Sequence, residues 1–421
     1  MKIKVLIPCL FLLISLITCK RKPQVIDTTH DPEYPIKINL IKAMTNQKDI
    51  KLSDIADSIV YIPLEYVKDN PVGVILDFKY FSNNIFIEVG GSDGGFLRFD
   101  GKGKFLNKIG TKGRGPGEYP GGSFFSVIDN PERFYILCNF VPRSLLEFDY
   151  NGNFLTKVLT ANPSVGKFEA ISSDRFLFLS SSDTSFHYMA NLKNRSNKSL
   201  MIIDYPFFSN PEFKNLQQFR YGGAGSGQYY DRCPLFYDGN SSDTIYSIRN
   251  DSIYSRYIID KGNEGAPFEK LYSLSNPPER YKYLSPFSFN ETPHDVFLMA
   301  IFKGDYLFLF NYNKASQSVS SMKTPYFVPD IDHIRQPATV YPKFENDIDG
   351  GISLSPGKPN REGDVWTYKY DALYFKNQLT KEHFLNSKAL YPEKKAALIK
   401  LVDSLMDFDN PIIMVVYLKR K

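Results

Sequence analysis

Short apolar runs separated by glycine, asparagine and aspartate turns recur along almost the whole chain. One such unit appears twice. Phe99-Asp100-Gly101-Lys102-Gly103-Lys104-Phe105-Leu106-Asn107-Lys108-Ile109 matches Phe148-Asp149-Tyr150-Asn151-Gly152-Asn153-Phe154-Leu155-Thr156-Lys157-Val158, a pattern F-D-x-x-G-x-F-L-x-K-[IV] at an offset of 49 residues. Two apolar runs flanking a polar turn, with a glycine where positive φ is needed, predict a β-hairpin. Each copy follows another apolar run, Asn84–Val89 or Arg133–Cys138. Three strands and a turn at a period of about 50 residues is the spacing of propeller blades. A second repeat, G-x-G-x-G-[EQ]-Y, places Gly113–Tyr119 against Gly223–Tyr229. Further strand sets fall at Phe168–Leu179 with Ser199–Asp204, Thr244–Ile248 with Ser252–Ile259, Val296–Phe302 with Tyr306–Tyr312, and Ile352 with Trp366–Phe375. The count is six blades, with five or seven also compatible.

One helix interrupts this pattern late. Pro392 suits a first helical position, and Leu398, Leu401, Val402 and Leu405 fall on one face at i, i+3, i+4 and i+7. Ile412–Leu418 after Asn410-Pro411 reads as a buried strand, and residues 58–65 as another. A propeller must close its ring, and pairing these two removes two exposed edges. Both are therefore assigned to the last blade. The fold class is all-β, a six-bladed β-propeller with one short C-terminal helix, occupying residues 51–421.

The N-terminus reads as an address. Met1–Lys4 is a short basic region, and Val5–Ile17 is apolar apart from Pro8 and Ser15. This is the anatomy of a secretory signal, shorter than the ~18 residues of a membrane-spanning helix. Leu16-Ile17-Thr18-Cys19 resembles a bacterial lipobox, in which residues 1–18 are removed and Cys19 is lipidated. Its sulfur takes a diacylglyceryl group and its freed amine a further chain; several chains give stable anchoring. Lys20-Arg21-Lys22 leaves an uncleaved anchor open. Residues 19–50 read as the lipidated cysteine and a polar tether, with Pro23, Pro32 and Pro35 in its first part.

Composition supports strands: 34 Phe and 28 Tyr bring aromatics to 15% of 421 residues, and these residues favour half-buried pleated surfaces. The formal charge of +5 falls by Lys2 and Lys4 to +3 in the mature chain, with the signs interspersed. Without a basic face, nucleic-acid binding is excluded as an expectation. Of four cysteines only Cys138 and Cys233 lie in the body, too few for a disulfide framework; both read as small buried hydrophobes.

Tyr61-Ile62-Pro63-Leu64-Glu65, the loop Gly110–Tyr119 and Asp243-Thr244-Ile245-Tyr246 resemble the six-bladed β-propeller lipoproteins of Bacteroidetes, whose blades are NHL-repeat-like. That family opens near YIPLE, has a first inter-blade loop near GKGPGEY and carries DTIY in a later blade. The resemblance spans about residues 50–421. Ala224 and Gln228 depart from it where the first loop has Arg114 and Glu118. Lys20 is not the aspartate of inner-membrane retention, and no acidic run of the surface-export kind follows Cys19. The resemblance therefore implies the outer membrane, facing the periplasm.

Catalytic chemistry is sparse. The loop at 110–119 lacks the Lys-Ser/Thr of a phosphate-binding P-loop, and Glu118 stands where G-x-G-x-x-G needs its third glycine. The loop reads as a tight crossover, with Tyr119 packing over the next blade. Its functional reading is a ligand loop, Lys112, Arg114, Glu118 and Tyr119 with Gln228 and Tyr229, binding an anion at the propeller mouth. The five histidines form no close pair. Asp347-Ile348-Asp349-Gly350-Gly351 lacks the ligands of an EF-hand and reads as a solvated turn. Ser226 lacks the first glycine of G-x-S-x-G. No cofactor, metal ligand or catalytic residue is assigned. Two functions stand open: a non-catalytic module binding a peptide, glycan or partner protein, and a lyase- or lactonase-type propeller enzyme with a central metal.

Overall fold

The structure, a computed structural model, describes residues 35–91, 94–121, 124–138, 143–160, 165–180, 188–204, 226–237, 243–267, 282–325 and 341–420. The chain opens with β1 (Ile36–Asn39), α1 (Leu40–Thr45), α2 (Leu52–Ile55) and β2 (Ala56–Pro63). Blade 1 then comprises β3 (Ile75–Phe81), β4 (Asn84–Val89), β5 (Phe96–Asp100) and β6 (Phe105–Ile109). Blade 2 comprises β7 (Phe124–Asp129), β8 (Glu132–Leu137), β9 (Ser144–Phe148) and β10 (Phe154–Thr160). Blade 3 follows with β11 (Val165–Ser172), β12 (Arg175–Ser180), β13 (Tyr188–Asn194) and β14 (Ser199–Asp204). In blade 4 the strands are β15 (Ser226–Tyr230), β16 (Cys233–Tyr237), β17 (Thr244–Arg249) and β18 (Ser252–Asp260). Those of blade 5 are β19 (Ser285–Glu291), β20 (Asp295–Phe302), β21 (Tyr306–Asn313) and β22 (Ser318–Pro325). Blade 6 has β23 (Lys358–Pro359), β24 (Val365–Tyr370) and β25 (Ile412–Leu418), with β2 as its fourth strand. The fold is a six-bladed β-propeller.

Ring closure is as the sequence predicts. β2 pairs antiparallel with β25, Ile59 opposite Val416 and Ile62 opposite Ile413. The core is six separate wedges between neighbouring blades. Phe86, Phe96 and Phe134 fill the wedge between blades 1 and 2, for example, and Phe297, Trp366 and Met414 the one between blades 5 and 6. The two copies of the hairpin repeat show why a glycine sits in each turn. Gly103 has φ +85° and Gly152 φ +89°. A Cβ there would lie 2.3 Å from the Pro63 carbonyl oxygen at Gly103, and 2.3 Å from that of Lys108 at Gly152. Both carbonyls belong to the last strand of the preceding blade. The same turns are stitched to that blade by the hydrogen bonds Glu65 N to Gly103 O (2.9 Å) and Gly110 N to Gly152 O (3.1 Å). Glu65, which closes the YIPLE segment, also accepts the Phe105 N–H at 2.8 Å. The repeat thus encodes blade-to-blade docking as well as the hairpin.

Five expectations need correction. The tether does not extend to residue 50: β1 adds in parallel to β18, and α1 buries Leu40 and Ala43 between blades 4 and 5. The apolar spacing of Ile36, Ile38, Leu40 and Ala43 accounts for this. Phe168–Leu179 spans two strands, β11 and β12, and Trp366–Phe375 runs from β24 into a helix. The connection from β24 to β25 holds three helices, α3 (Ala372–Gln378), α4 (Lys381–Asn386) and α5 (Pro392–Ser404), over their own apolar cluster of Phe375, Leu398 and Val402. Asp347–Gly351 is not solvated. Asp347 accepts hydrogen bonds from Ser53 N (3.0 Å) and Oγ (2.6 Å), and Asp349 from Asn346 Nδ2 (2.8 Å) and Gly351 N (2.9 Å). Among the described residues, no helix is long and apolar enough to cross a membrane.

Candidate functional site

A strand at the hub of a propeller has one face toward the axis, where neither wedge covers it. In β3, charged Asp77 and Lys79 flank Phe78; in β11, Lys167 and Glu169 flank Phe168. Phe78 packs into the wedge between blades 6 and 1, and Phe168 into that between blades 2 and 3. The charged members of the alternation line a central cavity of about 570 Å³, joined there by Tyr229 of β15 and by Lys358 and Arg361 at the start of blade 6.

The charges are interlocked. Lys79 Nζ binds both oxygens of Glu169, at 2.8 and 3.1 Å, and so joins blade 1 to blade 3. Ser126 Oγ on blade 2 donates to the same carboxylate at 2.9 Å and accepts the Ala170 N–H at 3.0 Å. Lys358 Nζ pairs with Asp77 and the Phe78 carbonyl, and lies 5.2 Å from the Phe78 ring centroid. Arg361 donates through Nη2 to the Ala170 carbonyl, with its guanidinium 4.5 Å from the Tyr229 ring centroid and 5.1 Å from that of Phe81. One residue of blade 6 therefore touches blades 1, 3 and 4.

One end of the channel is bridged. Arg232, in the first turn of blade 4, pairs with Asp129 of blade 2 at 2.9 Å and Glu362 of blade 6 at 3.1 Å. The Arg232 and Asp231 amides donate to the carbonyls of Arg361 and Glu362, at 2.8 and 3.1 Å. Blades 2, 4 and 6 are not ring neighbours, so these bonds reach across the axis.

Partial enclosure sets the charge states. Burial opposes ionisation of Asp77, but Lys358 and Lys79 outweigh it and hold the carboxyl below its usual range. Glu169 is likewise held low, Lys79 and Lys167 overcoming its burial. Burial pushes the Lys167 ammonium down, with Glu169 opposing. It pushes Lys358 down to about 8, against the pull of Asp77. Burial also raises the Glu88 carboxyl to about 7, and Asp77 adds to the effect. Lys358 keeps 39% of its side chain accessible, as a wall residue of an open cavity does.

The sequence candidates scatter. Tyr119 is 1% exposed, packed on Phe96 at 5.2 Å in the wedge between blades 1 and 2. Glu118 turns inward and accepts the Gly115 N–H at 2.7 Å. Lys112 and Arg114 are exposed, with Lys112 Nζ donating to the Gly91 carbonyl at 3.1 Å. Among the described side chains of the set, Tyr229 alone reaches the axial cavity. The repeat that joined them is not equivalent in space. Gly113–Tyr119 is a loop between blades 1 and 2, whereas Ser226–Tyr230 is the first strand of blade 4. Gln228 lies in that strand; Gly223–Gly225 and Cys19 lie outside the described residues. Among the described residues, no group of three or more His, Cys, Asp and Glu side chains is placed to hold a metal. Cys138 is buried in the wedge between blades 1 and 2, and Cys233 is half-buried.

The family profile titled Domain of unknown function (DUF4934) matches residues 35–417. The chain belongs to the DUF4934 family. The match begins one residue before β1. This DUF4934 chain is similar in structure to a protein of Bacteroides fragilis NCTC 9343 whose name is that of an exported protein. The TM-score is 0.62 at 16% identity, covering 91% of this chain and 99% of the other. A protein of unknown function from Bacteroides thetaiotaomicron VPI-5482 aligns at 14% identity and a TM-score of 0.31, over 66% of this chain and 63% of that one. No curated protein matches.

The inter-blade loop is testable independently of the cavity. Gly110 and Gly117 have positive φ, +61° and +78°, whereas Gly115 does not. A Cβ at Gly110 would sit 2.7 Å from Phe148 Cε1. Gly110→Val is expected to cost roughly 1–3 kcal/mol, and Lys112→Ala and Arg114→Ala less than about 0.5 kcal/mol each. Urea unfolding measures all three. A large loss from either charge change would show a structural role and remove these side chains as ligand groups.

Proposed function

We propose that this protein is an exported, lipid-anchored binding module of the cell envelope, attached through Cys19 to the outer membrane and facing the periplasm. In this reading it holds a peptide, glycan or partner protein by a group that enters the axial cavity, and it carries out no catalysis itself. The cavity carries the proposal: a concave site of about 570 Å³, within the range of small-ligand pockets, walled by polar groups from several blades of a rigid ring. The cross-axis bonds at one end favour a group that enters and stops over a strand threaded through. The lipobox-like Leu16–Cys19 segment and the exported relative support the address.

Two measurements test the two halves. Cells given a fatty-acid probe should label the wild type, and Cys19→Ala should lose the label; equal labelling would end the anchoring proposal. For the cavity, the purified body should be stabilised by a member of a peptide and glycan set, by about 2.7 kcal/mol at a hundredfold excess over Kd. Leu76→Trp, which enlarges an exposed side chain of the cavity wall, should abolish that gain. Stabilisation unchanged by Leu76→Trp would place binding elsewhere.

A further inference from the structure

The axial cavity has an excess of positive charge. Lys79, Lys167, Lys358 and Arg361 face Asp77, Glu169 and Glu88 across it. Two of the carboxylates are engaged by protein cations, Glu169 by Lys79 and Asp77 by Lys358. Arg361 gives only Nη2 to a protein acceptor among the described residues, and its plane is fixed beside the rings of Tyr229 and Phe81. A guanidinium held in one orientation with donors to spare is a pre-organised fork for a planar oxyanion. Cations gathered in a partly enclosed space repel one another, and an entering anion relieves that cost.

We infer that the group entering the axial cavity is a compact carboxylate, met by the Arg361 fork with Lys167 as the second cation. This rests on reading the ring axis as the binding site. The bridge of Arg232, Asp129 and Glu362 beyond Arg361 limits the depth of entry, so the carboxylate is terminal on its ligand. The charge balance also shifts with pH. Lys358, which faces Asp77, Lys79 and Lys167, loses its proton near 8. Glu88, which faces Asp77, gains its charge near 7. Both changes make the cavity more negative as pH rises, so affinity for an anion falls between pH 6 and pH 9.

Glucuronate and glucose provide a matched pair, differing only by the carboxylate. Calorimetric titration of the whole mature chain at pH 6 and low salt should show glucuronate binding at least tenfold tighter than glucose and tighter than inorganic phosphate. Lys167→Gln and Arg361→Lys should each weaken glucuronate about tenfold and leave glucose unchanged, with folding checked by circular dichroism. Arg361→Lys keeps the charge, so its loss reads the fork itself. Equal binding of the two sugars, tighter binding of phosphate, or insensitivity to both substitutions would overturn the inference while leaving the axial site standing. Absence of binding by all three probes at tens of millimolar would count against both the carboxylate and the axial site.

Discussion

A chain lacking residues 56–63 is expected to lose its single cooperative melting transition and to aggregate. These residues form β2, the fourth strand of blade 6. Their removal exposes the edge of β25, whose Ile412-Ile413-Met414-Val415-Val416 run is fully buried, and a long apolar edge is a template for intermolecular pairing. Two wedges lose material at once, Ile59 from that between blades 5 and 6 and Ile62 from that between blades 6 and 1. Deletion of residues 23–33, ahead of β1, should leave the melting temperature unchanged. Scanning calorimetry with size-exclusion chromatography makes the comparison. Identical melting of the two truncations would refute closure by β2.

The second large effect is expected at Glu291, 0% exposed at the end of β19. Its carboxylate accepts from Arg256 Nε and Nη2 at 2.8 and 2.7 Å, from Lys314 Nζ at 2.7 Å and from the Tyr257 hydroxyl at 2.8 Å. Arg256 and Tyr257 lie on blade 4, so the cluster clamps two blades. Glu291→Ala leaves a buried guanidinium without its counter-charge, which costs roughly 3–5 kcal/mol. Urea denaturation should show a loss of that size, with Glu291→Gln losing less because it keeps an acceptor. A loss below about 1 kcal/mol would mean that the cations find water or other partners. Burial opposes the charge on Glu291, but Lys314 and Arg256 outweigh it and depress its pKa. Its contribution is therefore present above the ordinary glutamate value of 4.5 and lost as pH falls through the depressed one.

The ring was legible because its information is local. Phe99–Ile109 and Phe148–Val158 carry strand, turn and strand within a few residues, and Gly103 and Gly152 mark the turns. The Ile412–Leu418 run could be matched to residues 58–65 since both are apolar and each would otherwise be an edge. The axial site was not legible for the opposite reason. Lys79 and Glu169 are 90 residues apart, and Lys358 and Asp77 281, so no motif spacing joins them. One signal was present: Asp77-Phe78-Lys79 and Lys167-Phe168-Glu169 place charges at alternate positions in the first strand of a blade. In an open sheet that alternation means a face in solvent, but at the hub it means a face on the axis. The glycines of the loop at 110–119 resemble a cradle in sequence alone. Its Glu118 carboxylate already caps the Gly115 amide that an anion would need.

The joint between the first and last strands bears on how the chain is made. Asn410 Nδ2 donates to the Glu65 carbonyl across 345 residues, and β2 pairs with β25 over its whole length. β2 thus waits for a strand synthesised hundreds of residues after it. The four consecutive strands of each of blades 1 to 5 can pair as their own hairpins appear, because they are local in sequence, but the ring cannot lock until β25 has been made. Contacts of such long range are slow to form. A prematurely terminated or clipped product therefore keeps two unpaired edges, an intrinsic mark by which proteases and chaperones can separate incomplete chains from finished ones.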